Sequence, residues 1–165
     1  MKTYIIADTH FNHRNIIWFA NRPFESVEEM NQTMIKNWND IVKDEDLVIH
    51  LGDFVYGGIK KIKAILEQLN GELLLIKGNH DKMYRMRACN INTVKGGLKR
   101  DILFLTHEPV TPPAGFVNVH GHTHQWHSTK GINACVEHTD YKPVDINYYY
   151  KKAKTYLGGE DAQKK

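Results

Sequence analysis

Leu47-Val48-Ile49-His50-Leu51-Gly52-Asp53 is a short apolar run that stops at a glycine and a carboxylate. Apolar runs of this length bounded by turn formers read as buried strands. In open α/β sheets the functional groups gather beyond the carboxyl ends of such strands. The same arrangement recurs outward along the chain in both directions. Tyr4-Ile5-Ile6-Ala7 runs into Asp8 and His10, and Leu73-Leu74-Leu75-Ile76 leads to Gly78-Asn79-His80-Asp81. Ile102-Leu103-Phe104-Leu105 leads to His107, and Val117-Asn118-Val119 to Gly121-His122-Thr123-His124. One coincidence of strand end and metal-ligand chemistry means little, but together these make a site.

The 165 residues suffice for a single domain with a real core. Hydrophobic residues at 41% and charged residues at 25% give a globular rather than a disordered pattern. A net charge of +3 suits an anionic substrate but is too small to signal nucleic-acid binding by itself. Cys89 and Cys135 form no close-spaced pair, so free thiols in a reducing compartment are expected. The apolar run before Asp8 is too short for a signal-peptide core or a membrane span. The expectation is a cytoplasmic protein with no membrane partner; the sequence does not specify an oligomeric state.

Between the ligand-bearing runs the periodicity turns helical. Ser26-Val27-Glu28-Glu29 has the form of a capping box, and Val27, Met30, Met34, Trp38, Ile41 and Val42 follow at helical spacing. A second helix is expected after Gly57-Gly58, with Ile59, Ile62, Ile65, Leu66 and Leu69 inward and a stop at Asn70-Gly71. The second half reads mostly as strands joined by turns, including Ile132–Val136, with a short helix from Asp145 to Leu157 and a frayed end over 158–165. The Tyr148-Tyr149-Tyr150 run before Lys151-Lys152 fits a helix with mixed packing better than a base-stacking platform. Crossovers first and strand pairs later predict an α/β fold with a mixed sheet or two packed sheets flanked by helices.

Asp8, His10, Asp53, Asn79, His107, His122 and His124 offer too many ligands for one ion that also keeps water. They suit two ions sharing a bridge, for which the central Asp53 is the candidate, with one carboxylate oxygen facing each cation. Nitrogen and oxygen donors without thiolate favour Mn²⁺, Fe or Zn²⁺ over Ca²⁺ or Mg²⁺. Two carboxylates leave the pair with excess positive charge, which suits a phosphate and acidifies a water held between the ions. Asp8 and His10, like His122 and His124, are two residues apart, so persisting strand conformation would point each pair to one face. His80, between Asn79 and Asp81, is placed to donate a proton, with Asp81 setting its tautomer.

Asp8-x-His10, Gly52-Asp53, Gly78-Asn79-His80-Asp81, His107 and Gly121-His122-Thr123-His124 resemble the ordered motifs of the calcineurin-like metallophosphoesterases. The resemblance runs from Asp8 to His124. It implies a four-layer sandwich of two mixed sheets flanked by helices. It also implies one ion on Asp8, His10, Asp53 and His124 and a second on Asp53, Asn79, His107 and His122. His80 would be the catalytic histidine beside the phosphate, in hydrolysis by in-line attack of a hydroxide bridging the metals. Mn²⁺ stands first as the metal, with Fe, Zn²⁺ or Ni²⁺ as alternatives. One departure is visible: the family's second motif often continues Gly-Asp-x-x-Asp or Asn, whereas here Phe54-Val55-Tyr56 follows Gly52-Asp53.

The remaining polar residues sort less sharply. His13, Arg14 and Arg22, with Asn79, are candidates to contact the substrate phosphate. His50 and His120 read as core histidines or supports, and His127 and His138 as surface residues. The expected activity is hydrolysis of a phosphodiester of a small molecule or nucleotide, with an open cleft because no lid domain is present. Phosphomonoesterase or nuclease activity on the same site are the rivals, and a non-catalytic scaffold is a further one that the complete ligand set disfavours.

Overall fold

The computed structural model describes residues 1–126 and 130–162, with backbone only for 159–162. His127 therefore lies outside the described residues, as do the last three of the tail. Four parallel strands open the chain: β1 (Thr3–Ile6), β2 (Leu47–His50), β3 (Glu72–Ile76) and β4 (Asn92–Val94). With the antiparallel β9 (Val144–Asp145) they form one mixed sheet in the order β4-β3-β2-β1-β9. The second sheet is β5-β6-β7-β8, from Gly97–Arg100, Leu103–Thr106, Val117–His120 and Ile132–Asn133. It is mixed too, because β5 pairs antiparallel with β6 while β6, β7 and β8 run parallel.

The alternation of side chains along β1 shows how the layers stack. Tyr4 and Ile6 join Val48 and Leu75 in a buried cluster with Met30, Met34 and Trp38 of α2 (Val27–Asn39) and Ile62 and Ile65 of α3 (Ile59–Leu66). Ile5 and Ala7, on the opposite face, join Ile49, Ile76, Leu103, Leu105, Val117 and Val119 between the sheets. Ile146, Tyr149 and Ala153 of the C-terminal helix (Ile146–Ala162) complete this second cluster. Runs buried on both faces explain why the strands are continuously apolar. Two mixed sheets flanked by helices are thus the architecture.

Local signals held where they were strong. Ser26 Oγ accepts from the Glu29 N–H at 3.1 Å, and Glu29 Oε2 accepts in turn from Glu25 rather than from Ser26 itself. Three expectations need correction. The run ending at Val136 is only a two-residue strand, followed by a 3-10 turn at Val136–His138. A four-residue helix, α1 (Ile16–Phe19), and a six-residue one, α4 (Met83–Ala88), were not foreseen. The C-terminal helix passes through Gly158-Gly159 to Ala162 instead of stopping at Leu157. Among the described residues no helix is long and apolar enough to cross a membrane, and Cys89 and Cys135 are free thiols.

Candidate metal centre

The loops after β1, β2, β3, β6 and β7 meet in one place, and backbone hydrogen bonds lock them there. Asp8 N–H donates to Gly52 O and His10 N–H to Asp53 O, each at 3.0 Å, while Gly121 N–H donates to His107 O at 2.8 Å. Asp8, His10, Asp53, His122 and His124 all take left-handed backbone conformations, with φ of 57°, 49°, 57°, 68° and 48°. Such conformations are uncommon for non-glycine residues and concentrate at functional sites. They also overturn the expected reason for convergence. Neither i, i+2 pair continues a strand; the turns, not the pleat, bring each pair to one side.

Each carboxylate is held by one oxygen and offers the other. Asp8 Oδ2 accepts from His122 N–H at 2.8 Å and from Cys135 Sγ at 3.3 Å. Its Oδ1, buried and without a hydrogen-bond partner, faces His10 Nε2 at 3.7 Å and His124 Nε2 at 3.9 Å. Asp53 Oδ1 accepts from His80 N–H at 2.9 Å. Its Oδ2 lies 3.5 Å from His10 Nε2 and 3.6 Å from His107 Nε2, so a single oxygen, not two, stands between the two halves of the site. On the far side His107 Nε2 is 2.8 Å from Asn79 Oδ1 and 3.2 Å from His122 Nδ1.

The carboxylate-to-imidazole spacings of 3.5–3.9 Å are a few tenths of an ångström wider than those of donors already closed on a cation, and the 2.8 and 3.2 Å spacings around His107 bracket them from below. Two ligands about 2.1 Å from one ion, at tetrahedral or octahedral angles, lie roughly 3.0–3.4 Å apart. Asp8, His10 and His124 form one group of potential ligand atoms, and Asp8, Asp53 and His107 an overlapping one. The imidazoles are also set in the correct tautomer for a metal. His107 Nδ1–H donates to Leu51 O at 2.8 Å and His124 Nδ1–H to Glu137 Oε1 at 3.1 Å, which leaves Nε2 of each as a lone pair pointing inward. His10 Nε2, buried, has no hydrogen-bond partner either. A cation would satisfy both orphaned atoms, so the donor set fits metal.

Glycines allow this density. A Cβ on Gly78 would overlap Asp53 Oδ1, and one on Gly121 would overlap Asp8 Oδ2. Electrostatics follow the same geometry. Burial pushes the Asp8 carboxyl upward, but the His10 imidazole 3.7 Å away and the charges of His107 and His124 hold it well below the usual range. Burial would likewise lower His124, yet the bond to Glu137 and the charge of Asp8 raise it. His50, fully buried, is pushed down to about 3 by desolvation. It is neutral, with Nδ1 accepting from Gly52 N–H at 3.1 Å and Nε2 3.0 Å from Thr9 Oγ1. It supports the Gly52-Asp53 turn, as its place in an apolar run suggests.

Other anticipated residues divide. The His80 ring, half exposed, has its Nε2 4.0 Å from Asp53 Oδ2, at the mouth of the site. Asp81 does not touch that ring. It is buried, with Oδ2 accepting from Asp53 and Gly78 N–H at 2.8 Å and Oδ1 from Phe54 N–H at 3.1 Å. It braces the Asp53 turn, which corrects its expected role as orienter of His80. Arg22 is also no substrate contact: its side chain is fully buried, donating to Asp8 O and Thr9 O and paired with Glu137 at 2.8 Å. Its guanidinium is spent on holding the first ligand loop. His13 stays near the mouth, its Nδ1 3.4 Å from His10 Nδ1, with a pKa lowered to about 4 by burial and by His10 and His80. Arg14 is exposed. Glu137, which links Arg22 to His124, was missed; a lone Glu after an apolar run carries no motif that could have revealed it.

Comparison with known proteins agrees with the geometry. The chain is 42% identical to an uncharacterized protein of Methanocaldococcus jannaschii over 166 aligned positions, covering 91% of this chain and 90% of that one. It is 33% identical to the Gene 66 protein of Mycobacterium phage L5 across 51% of this chain and 42% of that protein. Among solved structures, a protein of unknown function from Aquifex aeolicus superposes with a TM-score of 0.72 at 26% identity, covering 91% and 98% of the two chains. A nuclease of Pseudomonas putida shares the fold with a TM-score of 0.53 at 21% identity, over 74% of this chain and 61% of that one. The family model for calcineurin-like phosphoesterases matches residues 1–153, and the chain belongs to that family.

Proposed function

We propose that this protein is a phosphodiesterase that uses two metal ions, acting on a diester of a small molecule or nucleotide. Asp8, His10, Asp53 and His124 would hold one ion and Asp53, Asn79, His107 and His122 the other, with Asp53 shared by both sets. Mn²⁺ is the first choice, then Fe, Zn²⁺ or Ni²⁺. When bound, such ions neutralise phosphoryl oxygens and acidify water. The chain's own groups do the rest. Asn79, its Oδ1 turned inward, keeps its amide N–H₂ to donate to a phosphoryl oxygen. His80, beside Asp53 yet open to solvent, gives its proton to the leaving oxygen as the P–O bond breaks and a water oxygen bonds phosphorus from the opposite side. The proton released by that water goes to solvent.

The observation supporting a diester is room on both sides of Asn79-His80. One cavity of about 530 Å³ is lined by Gly78, Asn79, Phe104, His107 and Glu108. Another of about 400 Å³ is lined by Tyr56, His80, Lys82 and Arg85. A diester needs space for two substituents on phosphorus, a monoester for one. The test is hydrolysis of bis(para-nitrophenyl) phosphate against para-nitrophenyl phosphate, after chelation and re-addition of Mn²⁺, Zn²⁺, Ni²⁺ or Mg²⁺. We expect metal-dependent turnover with the larger kcat/KM on the diester. Faster monoester turnover, or turnover indifferent to metal, would reverse the reading.

A further inference from the structure

The second motif departs from its family pattern at Tyr56, and the structure shows what stands there. Tyr56 is 51% exposed, and its ring stacks on His13 with centroids 4.3 Å apart and planes 15° from parallel. His13 in turn lies against His10. The aromatic pair thus borders the metal centre on the His80 side. Tyr56 and His80 also line the 400 Å³ cavity, together with Val55, Gly57, Gly58, Lys82 and Arg85.

The charges of the two cavities differ. The one beside Asn79 carries both Lys77 and Glu108, and Lys77 Nζ is already engaged with Gly78 O at 2.7 Å. The one beyond His80 has two cations and no carboxylate among its lining residues. Arg85 is fixed in its wall, with Nη1 donating to Gly57 O at 2.7 Å and Nε to Tyr84 OH at 2.9 Å. Lys82 is exposed and makes no ion pair among the described residues. An exposed Lys and a half-buried Arg facing a cavity without a carboxylate among its lining residues attract an anion, and the fork of Arg suits phosphate.

The leaving group must lie where its oxygen meets the proton donor. Resting on the phosphodiesterase reading with His80 as that donor, we propose that the cavity beyond His80 takes the leaving alcohol and that Lys82 and Arg85 bind a second phosphate on it. The substrate class is therefore a diester whose leaving alcohol is itself a phosphomonoester, as in a terminally phosphorylated dinucleotide. Tyr56 offers its ring to the portion between the two phosphates.

The test uses thymidine dinucleotide with no terminal phosphate, with a 5′-phosphate, or with a 3′-phosphate, in the Mn²⁺-loaded enzyme. Product analysis shows which nucleoside leaves. A phosphate on that nucleoside should raise kcat/KM by about tenfold or more, as charge-assisted contacts do. A phosphate on the other should not, and the preference should shrink as salt rises. Lys82→Glu should bring the ratio near one; because the Lys82 side chain makes no hydrogen bond or ion pair among the described residues and its backbone cap of α4 is kept, this variant separates the effect from misfolding, and Arg85→Ala should act in the same direction. A ratio near one in the native chain, a preference for the other terminus, or a ratio untouched by Lys82→Glu would overturn the proposal while leaving phosphodiesterase activity standing. No hydrolysis of any dinucleotide or of bis(para-nitrophenyl) phosphate would instead remove the reading beneath it.

Discussion

His80 and Asp81 are adjacent in sequence, yet their side chains serve different ends. The His80 imidazole sits half exposed beside Asp53 Oδ2 and is not among the closely converging donors. His80→Ala should therefore lower kcat roughly 10²- to 10⁴-fold while metal content stays at the native level. Asp81 supplies two oxygens to three buried N–H groups around the Asp53 turn. Asp81→Asn places an amide N–H₂ against those donors, at a cost of about 1–3 kcal/mol for each N–H left unpaired. Denaturant unfolding should register that loss, and metal analysis should show weaker loading, while the pH–rate profile keeps its native shape. An Asp81→Asn chain with full metal and stability but an altered pH profile would return Asp81 to the role of proton partner for His80. The adjacency in sequence suggested that role; only the fold shows the carboxylate turned inward.

At the scale of elements, the site depends on turns that bring carboxylates against glycine. Gly78 opens the turn after β3, and its missing Cβ is the space that Asp53 Oδ1 occupies. Gly78→Ala should displace Asp53 and weaken metal binding by about 10- to 100-fold, the range seen when supporting groups are disturbed. Far-UV circular dichroism should stay native, because both sheets pack away from this turn; undiminished metal affinity would show that the turn relaxes freely. Much at this scale was legible. The apolar runs named the strands, the capping box named the start of α2, and ligand types at strand ends marked the loops that converge. The short helices α1 and α4 were not legible, because neither is long enough to display a period. The left-handed turns at Asp8, His10 and His124 were hidden as well. Such backbone is imposed by partners distant in sequence, as when Arg22 grips the carbonyls of Asp8 and Thr9.

For the whole molecule, the candidate metal centre is also the joint between the two sheets. Asp8 and Asp53 come from the first sheet, and His107, His122 and His124 from the second. A cation shared among them would tie the halves together in the folded state alone, since the unfolded chain cannot assemble donors more than a hundred residues apart. Binding to the native state only stabilises it by RT ln(1 + [L]/Kd), about 2.7 kcal/mol at a hundredfold excess over Kd. For a chain of this size that corresponds to a rise in Tm of roughly 5–11 °C for one site. Chelator-stripped protein titrated with Mn²⁺ should show Tm climbing with the logarithm of metal concentration. Asp53→Asn should flatten the curve, because Asp53 Oδ2 lies 3.5 Å from His10 Nε2 in one half and 3.6 Å from His107 Nε2 in the other. His80→Ala should leave it unchanged. A native Tm that ignores Mn²⁺, Zn²⁺ and Ni²⁺ alike would mean that the buried Asp8 Oδ1 and His10 Nε2 are satisfied by something other than a cation, and the two-ion centre would have to be abandoned.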